Sequence, residues 1–287
     1  MKVRVLTLYI YEITFEKKGR GVKMKVQRNM IREALDKRNL ALGTWVQMRN
    51  PEACELVAAG GYDFVIIDME HGSFGWDGAV DMIRAVEYGG ATPVIRLPGD
   101  SIVDIKKALD AGALGVIIPK ICSGKEALQV VKAAKYEPSG RRGACPVVRA
   151  TAHGLLDWKM YRKWSDENVM VWAIVETMEA IENIADIVSQ GLDAIVLGPF
   201  DLSMAMGFQG DVEHPQVKRE LIRISEIALK KGVECVAVLF DMEPEQILRS
   251  AKFWKEKGCR MITTSSDRGI LSHFHKKVLD SLQDLSK

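Results

Sequence analysis

Short apolar runs alternate with amphipathic stretches along most of the chain, from about residue 40 to its end. The runs are rich in Val and Ile and do not alternate with polar residues, which is typical of strands buried on both faces of a parallel sheet. The pattern predicts strands at residues 42–48, 63–68, 92–96, 115–118, 170–175, 193–197, 233–239 and 260–263.

The amphipathic stretches between these runs predict helices at residues 51–59, 76–88, 102–111, 123–135, 178–189, 214–231, 243–257 and 267–283. Several of them end at a glycine, which is favoured there because it readily adopts positive φ. These glycines are Gly112, Gly191, Gly232 and Gly258. Strand–helix units in this succession predict an α/β fold, a single-domain (β/α)8 TIM barrel. A doubly wound open sheet is the alternative, although no glycine-rich nucleotide-binding motif follows the first strand.

One connection, between the fourth predicted helix and the fifth predicted strand, is much longer than the others. It covers residues 136–167 and includes Arg141, Arg142, His153, Trp158 and Trp164. Loops of this length usually have a function or are disordered. We expect it to be either a lid over the active site or a contact between subunits.

The amino-acid composition indicates an ordinary globular protein without membrane helices or a disulfide framework. Of the 287 residues, 47% are hydrophobic and 27% charged, as in an ordinary globular domain. No apolar run is long enough for a membrane helix, so no membrane partner is expected. The five cysteines are odd in number and form no CxxC pair, which disfavours a disulfide framework or a structural zinc site. We therefore expect a protein of the reducing cytoplasm.

Positive charge is concentrated at the amino terminus. Residues 1–30 carry eight Lys or Arg and two Glu, whereas the whole chain has a net charge of only +2. We predict a basic extension over residues 1–37, disordered or produced by a start codon upstream of Met24 or Met30, and a barrel over residues 38–287. No basic stripe with interleaved aromatic residues follows, so nucleic acid is not an expected partner.

Ionisable residues follow the predicted strands at the end where barrel enzymes place their catalytic groups. Glu176 and Asp201 follow the fifth and sixth strands, and neighbouring strands lie ~4.8 Å apart. Two carboxylates at this spacing could share Mg²⁺ or Mn²⁺, with water and substrate as the other ligands. A pair of solvated carboxylates is the alternative.

Three further strand ends carry candidate groups. His71 follows the second strand, with Asp68 three residues earlier, and a carboxylate beside an imidazole raises its basicity; a structural histidine is the alternative. Arg96 ends the third strand and could stabilise a negative oxygen, or form a salt bridge with Glu70 or Asp68. Lys120 follows the fourth strand and is either a Schiff-base lysine or a solvated one.

Longer motifs surround these residues: GTWVQMRNPEACELVAAGGYDFVIIDMEH, PVIRLP, LDAGALGVIIPK, YEPSGRRG, ETMEAIEN and GPFDLSMAMGFQGDVEHPQV. Together they resemble the HpcH/HpaI aldolases, metal-dependent pyruvate aldolases of the phosphoenolpyruvate/pyruvate barrel superfamily. The similarity runs from about residue 38 to the end, in the order of the family. Residues 1–30 lie outside it.

The resemblance implies roles for the strand-end residues. Glu176 and Asp201 match the metal-ligand positions. His71 matches the catalytic base, which the family pairs with Asp68. Arg96 matches the arginine that contacts the ketone oxygen of pyruvate.

Other positions of the family carry over as well. The backbone amides of Phe200 and Asp201 match the donors that hold the pyruvate carboxylate. Asp110, in the LDAG segment, resembles a further active-site carboxylate. Ile174 is a departure, because family members often carry Gln at this position.

The implied reaction is cleavage of a 4-hydroxy-2-oxoacid to pyruvate and an aldehyde, or the reverse, through a metal-bound pyruvate enolate. The implied cofactor is Mg²⁺, Mn²⁺ or Co²⁺. The resemblance also implies a homo-oligomer, commonly a hexamer, with the last helix packed against a neighbouring subunit. Three alternatives stay open: a Schiff-base aldolase using Lys120, a CoA-thioester lyase of the citrate lyase β-subunit type, and a non-catalytic barrel kept for assembly.

Overall fold

A closed barrel of parallel strands forms the centre of the computed structural model, which describes residues 27–283 and 285. The strands follow one another around the barrel in chain order, and the last pairs with the first. They are β1 Ala41–Val46, β2 Phe64–Asp68, β3 Thr92–Arg96, β4 Gly115–Ile118, β5 Met170–Val175, β6 Ala194–Leu197, β7 Glu234–Val238 and β8 Met261–Ser266. The predicted (β/α)8 barrel is confirmed, and the open sheet is excluded because β8 closes on β1.

Helices surround this barrel. They are α1 Met30–Arg38, α2 Pro51–Ala59, α3 Trp76–Tyr88, α4 Ile102–Asp110, α5 Gly124–Ala134, α6 Trp158–Asn168, α7 Met178–Glu182, α8 Ile184–Ile187, α9 Pro199–Ala205, α10 Pro215–Lys230, α11 Pro244–Glu256 and α12 Asp267–Gln283. Every predicted helix is present, and the one predicted at 178–189 is divided into α7 and α8. Gly112 and Gly232 adopt φ of 104° and 76°, as expected for glycines that end helices. In the described part of the chain, no helix could span a membrane.

Helix α1 covers the amino-terminal opening of the barrel, so the predicted boundary at residue 38 is placed too late. Asn29 caps the helix, since its side-chain oxygen accepts the N–H groups of Ile31 and Arg32. Ile31 is fully buried among the side chains of the barrel interior. Arg32 forms an ion pair of 2.8 Å with Asp193, which precedes β6. Residues 30–37 thus belong to the barrel, while the rest of the predicted extension, up to residue 26, lies outside the described residues.

The interior of the barrel is filled by side chains. The rings of Phe64 and Trp172 meet edge to face with centroids 5.6 Å apart. Position 43 requires glycine, because a Cβ there would overlap the Phe64 ring. A second apolar layer lies between the strands and the surrounding helices. Polar chemistry is therefore confined to the ends of the strands.

The connection from α5 to β5 is more ordered than a long loop. It contains α6 and a short 3-10 helix at Arg149–Gly154. It also has its own small core, formed by Tyr136, Leu156 and Tyr161. Arg149 donates to the carbonyl oxygen of Ala111 at 2.8 Å and pairs with Glu87, both at the ends of helices that return to the amino-terminal edge of the barrel. This placement does not fit a lid over the opposite edge; a role in subunit contact stays a prediction.

Candidate active site

Most of the predicted site residues lie at the carboxyl edge of the barrel. Asp68 and Arg96 are the last residues of β2 and β3 and are paired in register. Glu176 directly follows β5, and Asp201 lies in the first turn of α9, just after β6. The parallel strands bring these side chains to one edge because all the strands end there.

Arg96 is held by two carboxylates. Its Nε donates to Asp68 Oδ1 at 2.8 Å, its Nη2 donates to Asp68 Oδ2, and its Nη1 lies 3.2 Å from Glu70 Oε2. Asp68 is completely buried and the Arg96 side chain is 11% exposed. Burial alone would raise the pKa of Asp68, but the hydrogen bonds and charge of Arg96 outweigh it and lower that pKa. The salt-bridge alternative for Arg96 is therefore present in the structure, with both Asp68 and Glu70.

Two residues of β1 and its following loop complete the surroundings of this pair. Gln47 Nε2 donates to Asp68 Oδ2 at 2.8 Å. The Arg96 guanidinium carbon lies 4.8 Å from the centre of the Trp45 ring, and Trp45 Nε1 donates to Thr263 at 3.0 Å. A stacked guanidinium with a bidentate carboxylate has a fixed plane. Neither residue is predicted as a site residue from the sequence, although both lie in the apolar run at 42–48.

His71 lies at the same edge but does not pair with Asp68 through its ring. Asp68 Oδ1 instead accepts the backbone N–H groups of Glu70 and His71, at 3.1 and 3.2 Å. His71 is exposed, and its imidazole has no hydrogen bond within residues 27–283. The expected Asp68–imidazole pair is thus wrong for this structure, because the carboxylate is already occupied by Arg96, Gln47 and the loop backbone.

Glu176 is a buried carboxylate, only 5% exposed. Its Oε1 accepts the backbone N–H of Lys120 at 3.0 Å. Burial and the nearby charge of Asp201 raise the pKa of Glu176 to about 7. The room for this side chain depends on Gly198, where a Cβ would lie 2.9 Å from the Glu176 Cβ and 3.1 Å from a methyl group of Ile174. Ile174, the departure from the family resemblance, thus places an apolar side chain next to Gly198.

Lys120 contacts the candidate site through its main chain rather than its side chain. Its φ of 56° lies in the left-handed region, and this conformation directs its N–H to Glu176. The side chain is exposed. A Schiff-base lysine is normally activated by desolvation or by a neighbouring cation, so the exposed position of Lys120 disfavours that mechanism.

The donor set fits a hard divalent cation held by two carboxylates. Within the described residues no group of three or more His, Cys, Asp or Glu side chains is arranged to hold a metal ion. Glu176 and Asp201 are nevertheless close enough for the charge of Asp201 to raise the pKa of Glu176. A divalent cation would remove this repulsion, and Mg²⁺ in particular is usually bound by one or two carboxylates plus water and substrate oxygens.

The first turn of α9 offers backbone donors beside these carboxylates. The N–H groups of Phe200 and Asp201 occupy first-turn positions, which have no acceptor inside the helix. The Phe200 ring is 48% exposed and lies 6.4 Å from that of Phe240. A cavity of about 380 Å³ opens between α9, α10, α11 and the end of β7. Its lining includes Pro199, Phe240, Asp241 and Lys218.

Asp110 is not brought to this cluster within the single chain. It is the last residue of α4, which returns to the amino-terminal edge of the barrel. There Arg142 Nη2 donates to Asp110 Oδ1 at 2.7 Å, and the Arg142 side chain is completely buried. The expectation of an active-site carboxylate at position 110 is therefore not met by the fold of one chain.

The family described as HpcH/HpaI aldolase/citrate lyase matches residues 41–265. The hydroxypyruvate/pyruvate aldolase of Sagittula stellata is 34% identical over 200 residues, which cover 69% of this chain and 78% of that protein. The 5-keto-4-deoxy-D-glucarate aldolase of Citrobacter koseri is 27% identical over 256 residues, which cover 89% of this chain and 96% of that one.

Solved structures of similar sequence share the fold of this chain. A HpcH/HpaI aldolase/citrate lyase family protein from Burkholderia cenocepacia J2315 superposes with a TM-score of 0.80 and 28% identity, over 89% of this chain and all of that one. The citrate synthase SbnG superposes with a TM-score of 0.79 and 29% identity, over 91% of this chain and all of that one. Their fold is the barrel described above.

Proposed function

The chain belongs to the HpcH/HpaI aldolase/citrate lyase family, and from that membership we propose that it is a metal-dependent pyruvate aldolase. The substrate would be a 4-hydroxy-2-oxoacid, cleaved to pyruvate and an aldehyde, and the reaction would also run in reverse. The observation that supports this most is that the charges of both Asp201 and Arg96 act on the buried carboxylate of Glu176 at the carboxyl edge. A cation held by Asp68 thus lies near two carboxylates of the kind that bind a divalent metal.

Glu176 and Asp201 would hold the metal, Mg²⁺, Mn²⁺ or Co²⁺. A bound divalent ion supplies Lewis acidity to the oxygens of the oxoacid. The two carboxylates come from neighbouring strand ends. Water and substrate oxygens would supply the remaining ligands, as is usual for Mg²⁺. The exposed N–H groups at the start of α9 would orient the carboxylate of the oxoacid.

Arg96 would stabilise the negative charge that develops on the ketone oxygen. Asp68 and Trp45 fix its guanidinium before substrate arrives, so little reorganisation is needed during the reaction. Its Nη atoms carry hydrogens beyond those used with Asp68 and Glu70. Asp68 would then act as the anchor of Arg96 rather than as the partner of an imidazole.

His71 would act as the acid–base group. In the cleavage direction it would take the proton of the 4-hydroxyl, the bond between C3 and C4 would break, and the aldehyde would leave. The electron pair stays on the pyruvate fragment as its enolate, which is then protonated at carbon to give the methyl group. The exposed imidazole, with no competing hydrogen bond from the described residues, is available for this transfer.

Pyruvate alone tests the proposal, because the aldehyde is not needed for proton transfer at the methyl group. The protein with Mn²⁺ in heavy water should exchange the methyl protons of pyruvate, and NMR would follow their loss. EDTA should stop the exchange and added Mn²⁺ should restore it. Full exchange in a metal-free sample would contradict metal dependence. Trapping of pyruvate by borohydride would favour the Schiff-base alternative.

A second candidate is carbon–carbon bond formation with a carboxylic acid or CoA-thioester partner. The similarity to the citrate synthase SbnG over 91% of this chain favours it. Assays for citrate formation and for turnover of CoA esters separate this activity from release of pyruvate. The residues at the edge would serve either reaction, since both proceed through an enolate.

We also propose that the protein is a homo-oligomer. Helix α12 has no buried residue, and its large apolar side chains are exposed, including Phe274 at 61% and Leu279 at 57%. An exposed apolar face of this length on one helix is typical of a contact surface. The family resemblance implies that this helix packs against a neighbouring subunit.

A further inference from the structure

The first turn of α12 contacts two loops of the candidate active site. Asp267 Oδ1 accepts the N–H of Gln47 at 2.9 Å, and Asp267 Oδ2 accepts the N–H of Met48 at 3.0 Å. The next residue, Arg268, donates from Nη1 to the carbonyl oxygen of His71 at 3.1 Å. The start of the last helix is thus joined to the loops that follow β1 and β2.

The backbone of His71 is held from two sides. Its N–H donates to Asp68, and its carbonyl oxygen accepts from Arg268. Because the imidazole itself has no hydrogen bond in the described part of the chain, its location depends on where these contacts hold the main chain of His71. Asp68 is already immobilised by Arg96, so the contact with Arg268 is the one that comes from outside the buried cluster.

The first turn of α12 also acts on the second carboxylate oxygen of Asp68, through Gln47. Asp267 holds the backbone of Gln47, and the Gln47 side chain donates to Asp68 Oδ2 at 2.8 Å. Both routes from α12 therefore converge on the Asp68–His71 segment. Beyond this turn α12 has no buried residue, and Glu243 contacts its middle, accepting from Lys277 at 2.7 Å and lying 2.9 Å from His273 Nε2.

We propose that Arg268 is a positioning residue for His71, so that the placement of α12 sets the rate of proton transfer. This inference rests on the proposed function, in which His71 carries the proton. A misplacement of about 1 Å at a reacting group can cost on the order of 10²-fold in rate. Loss of one of two backbone contacts should cost less than that.

Two variants and two readouts test the role. Arg268→Ala removes the donor, and Arg268→Lys keeps a cation that can reach a carbonyl oxygen. In the Mn²⁺-loaded protein, Arg268→Ala should lower the maximal rate of pyruvate methyl exchange about ten-fold. The pyruvate concentration at half-maximal rate should stay unchanged, because Arg268 does not touch substrate. Arg268→Lys should recover most of the rate, and Arg249→Ala, an exposed arginine on α11, should match the wild type.

Hydrogen–deuterium exchange of the backbone gives a readout that needs no activity. Mass spectrometry of the segment 69–72 should show faster amide exchange in Arg268→Ala than in the wild type or in Arg249→Ala. Unchanged amide exchange, or wild-type turnover in Arg268→Ala, would overturn the positioning role. A rise in the half-maximal pyruvate concentration at an unchanged maximal rate would also overturn it. A wild-type protein inert toward pyruvate would instead overturn the proposed function.

Discussion

Arg96 and Asp68 end adjacent strands directly opposite each other, and the guanidinium binds the carboxylate with two hydrogen bonds. The pair is buried, and the exposed His71 follows three residues after Asp68, with its backbone N–H donating to that carboxylate. The two side chains are therefore held in place by paired strand ends rather than by a loop.

Replacing Arg96 by Lys keeps the charge but loses the planar fork that fits Asp68. We expect the rate of pyruvate methyl exchange to fall on the order of 10²-fold, the scale found for the loss of one oxyanion donor. Exchange rates measured over a range of pyruvate concentrations check this. Arg219→Lys, at an exposed position on α10, serves as the control. A higher pyruvate requirement at an unchanged maximal rate would show that Arg96 only binds substrate.

Asp68→Asn should destabilise the protein in a pH-dependent way. The pKa of Asp68 is lowered in the folded state, so its stabilising effect is present above the unfolded value of about 3.9 and is lost as pH falls through the folded value. At neutral pH we expect a loss of about 3 kcal/mol, as for the breaking of a buried ion pair. Urea unfolding of both proteins should show this difference shrink below about pH 4. A difference independent of pH would mean that packing, not charge, is responsible.

Glu176→Gln should raise the stability of the metal-free protein and remove the stabilisation that metal gives to the wild type. The pKa of Glu176 is raised to about 7, so ionisation in the folded state lowers stability as pH rises from its unfolded value of about 4.3 towards 7. In EDTA at pH 8 the variant should therefore be more stable than the wild type by about 3 kcal/mol. With Mn²⁺ the wild type should gain Tm and the variant should not. An equal gain of Tm in both proteins would place the metal elsewhere.

The amino-terminal boundary can be tested by truncation. A chain that begins at Gln27 keeps the cap and all of α1, and we expect its Tm and activity to match those of the full chain. Asn29→Ala removes the capping oxygen and should cost about 1 kcal/mol. A chain that begins at Leu40 lacks Ile31 and opens the bottom of the barrel, so it should be insoluble or poorly stable. A stable, active protein from that last chain would show that α1 is dispensable.

If the exposed apolar face of α12 is a subunit contact, a charge placed on it should weaken assembly. Phe274→Asp should shift the protein to smaller species in analytical ultracentrifugation, because a carboxylate would be buried unpaired in a subunit contact. Lys276→Ala, two residues away and on the other side of the helix, should leave the assembly unchanged. A monomeric wild type, or a variant that assembles as the wild type does, would contradict the proposed contact.

The sequence predicts the barrel well because buried parallel strands leave a strong local pattern. It also brings Glu176, Asp201 and Arg96 to one edge, since residues after parallel strands meet there. Helix α1 was missed because it lies inside the basic segment, although Asn29 before an amphipathic stretch is a recognisable cap signal. The contacts of Gln47 and the free ring of His71 depend on side-chain geometry that spacing along the chain does not encode.

The filled interior has a consequence for the order of events. Ile31 of α1, Trp172 and Ile174 belong to one continuous apolar column that leads up to Glu176. Because described side chains fill this column, we expect substrate to enter and products to leave at the carboxyl edge of the barrel. In the proposed reaction the pyruvate fragment would be held at Glu176 and Asp201, at the top of this column. We therefore expect pyruvate to depart last and, in the direction of synthesis, to bind first.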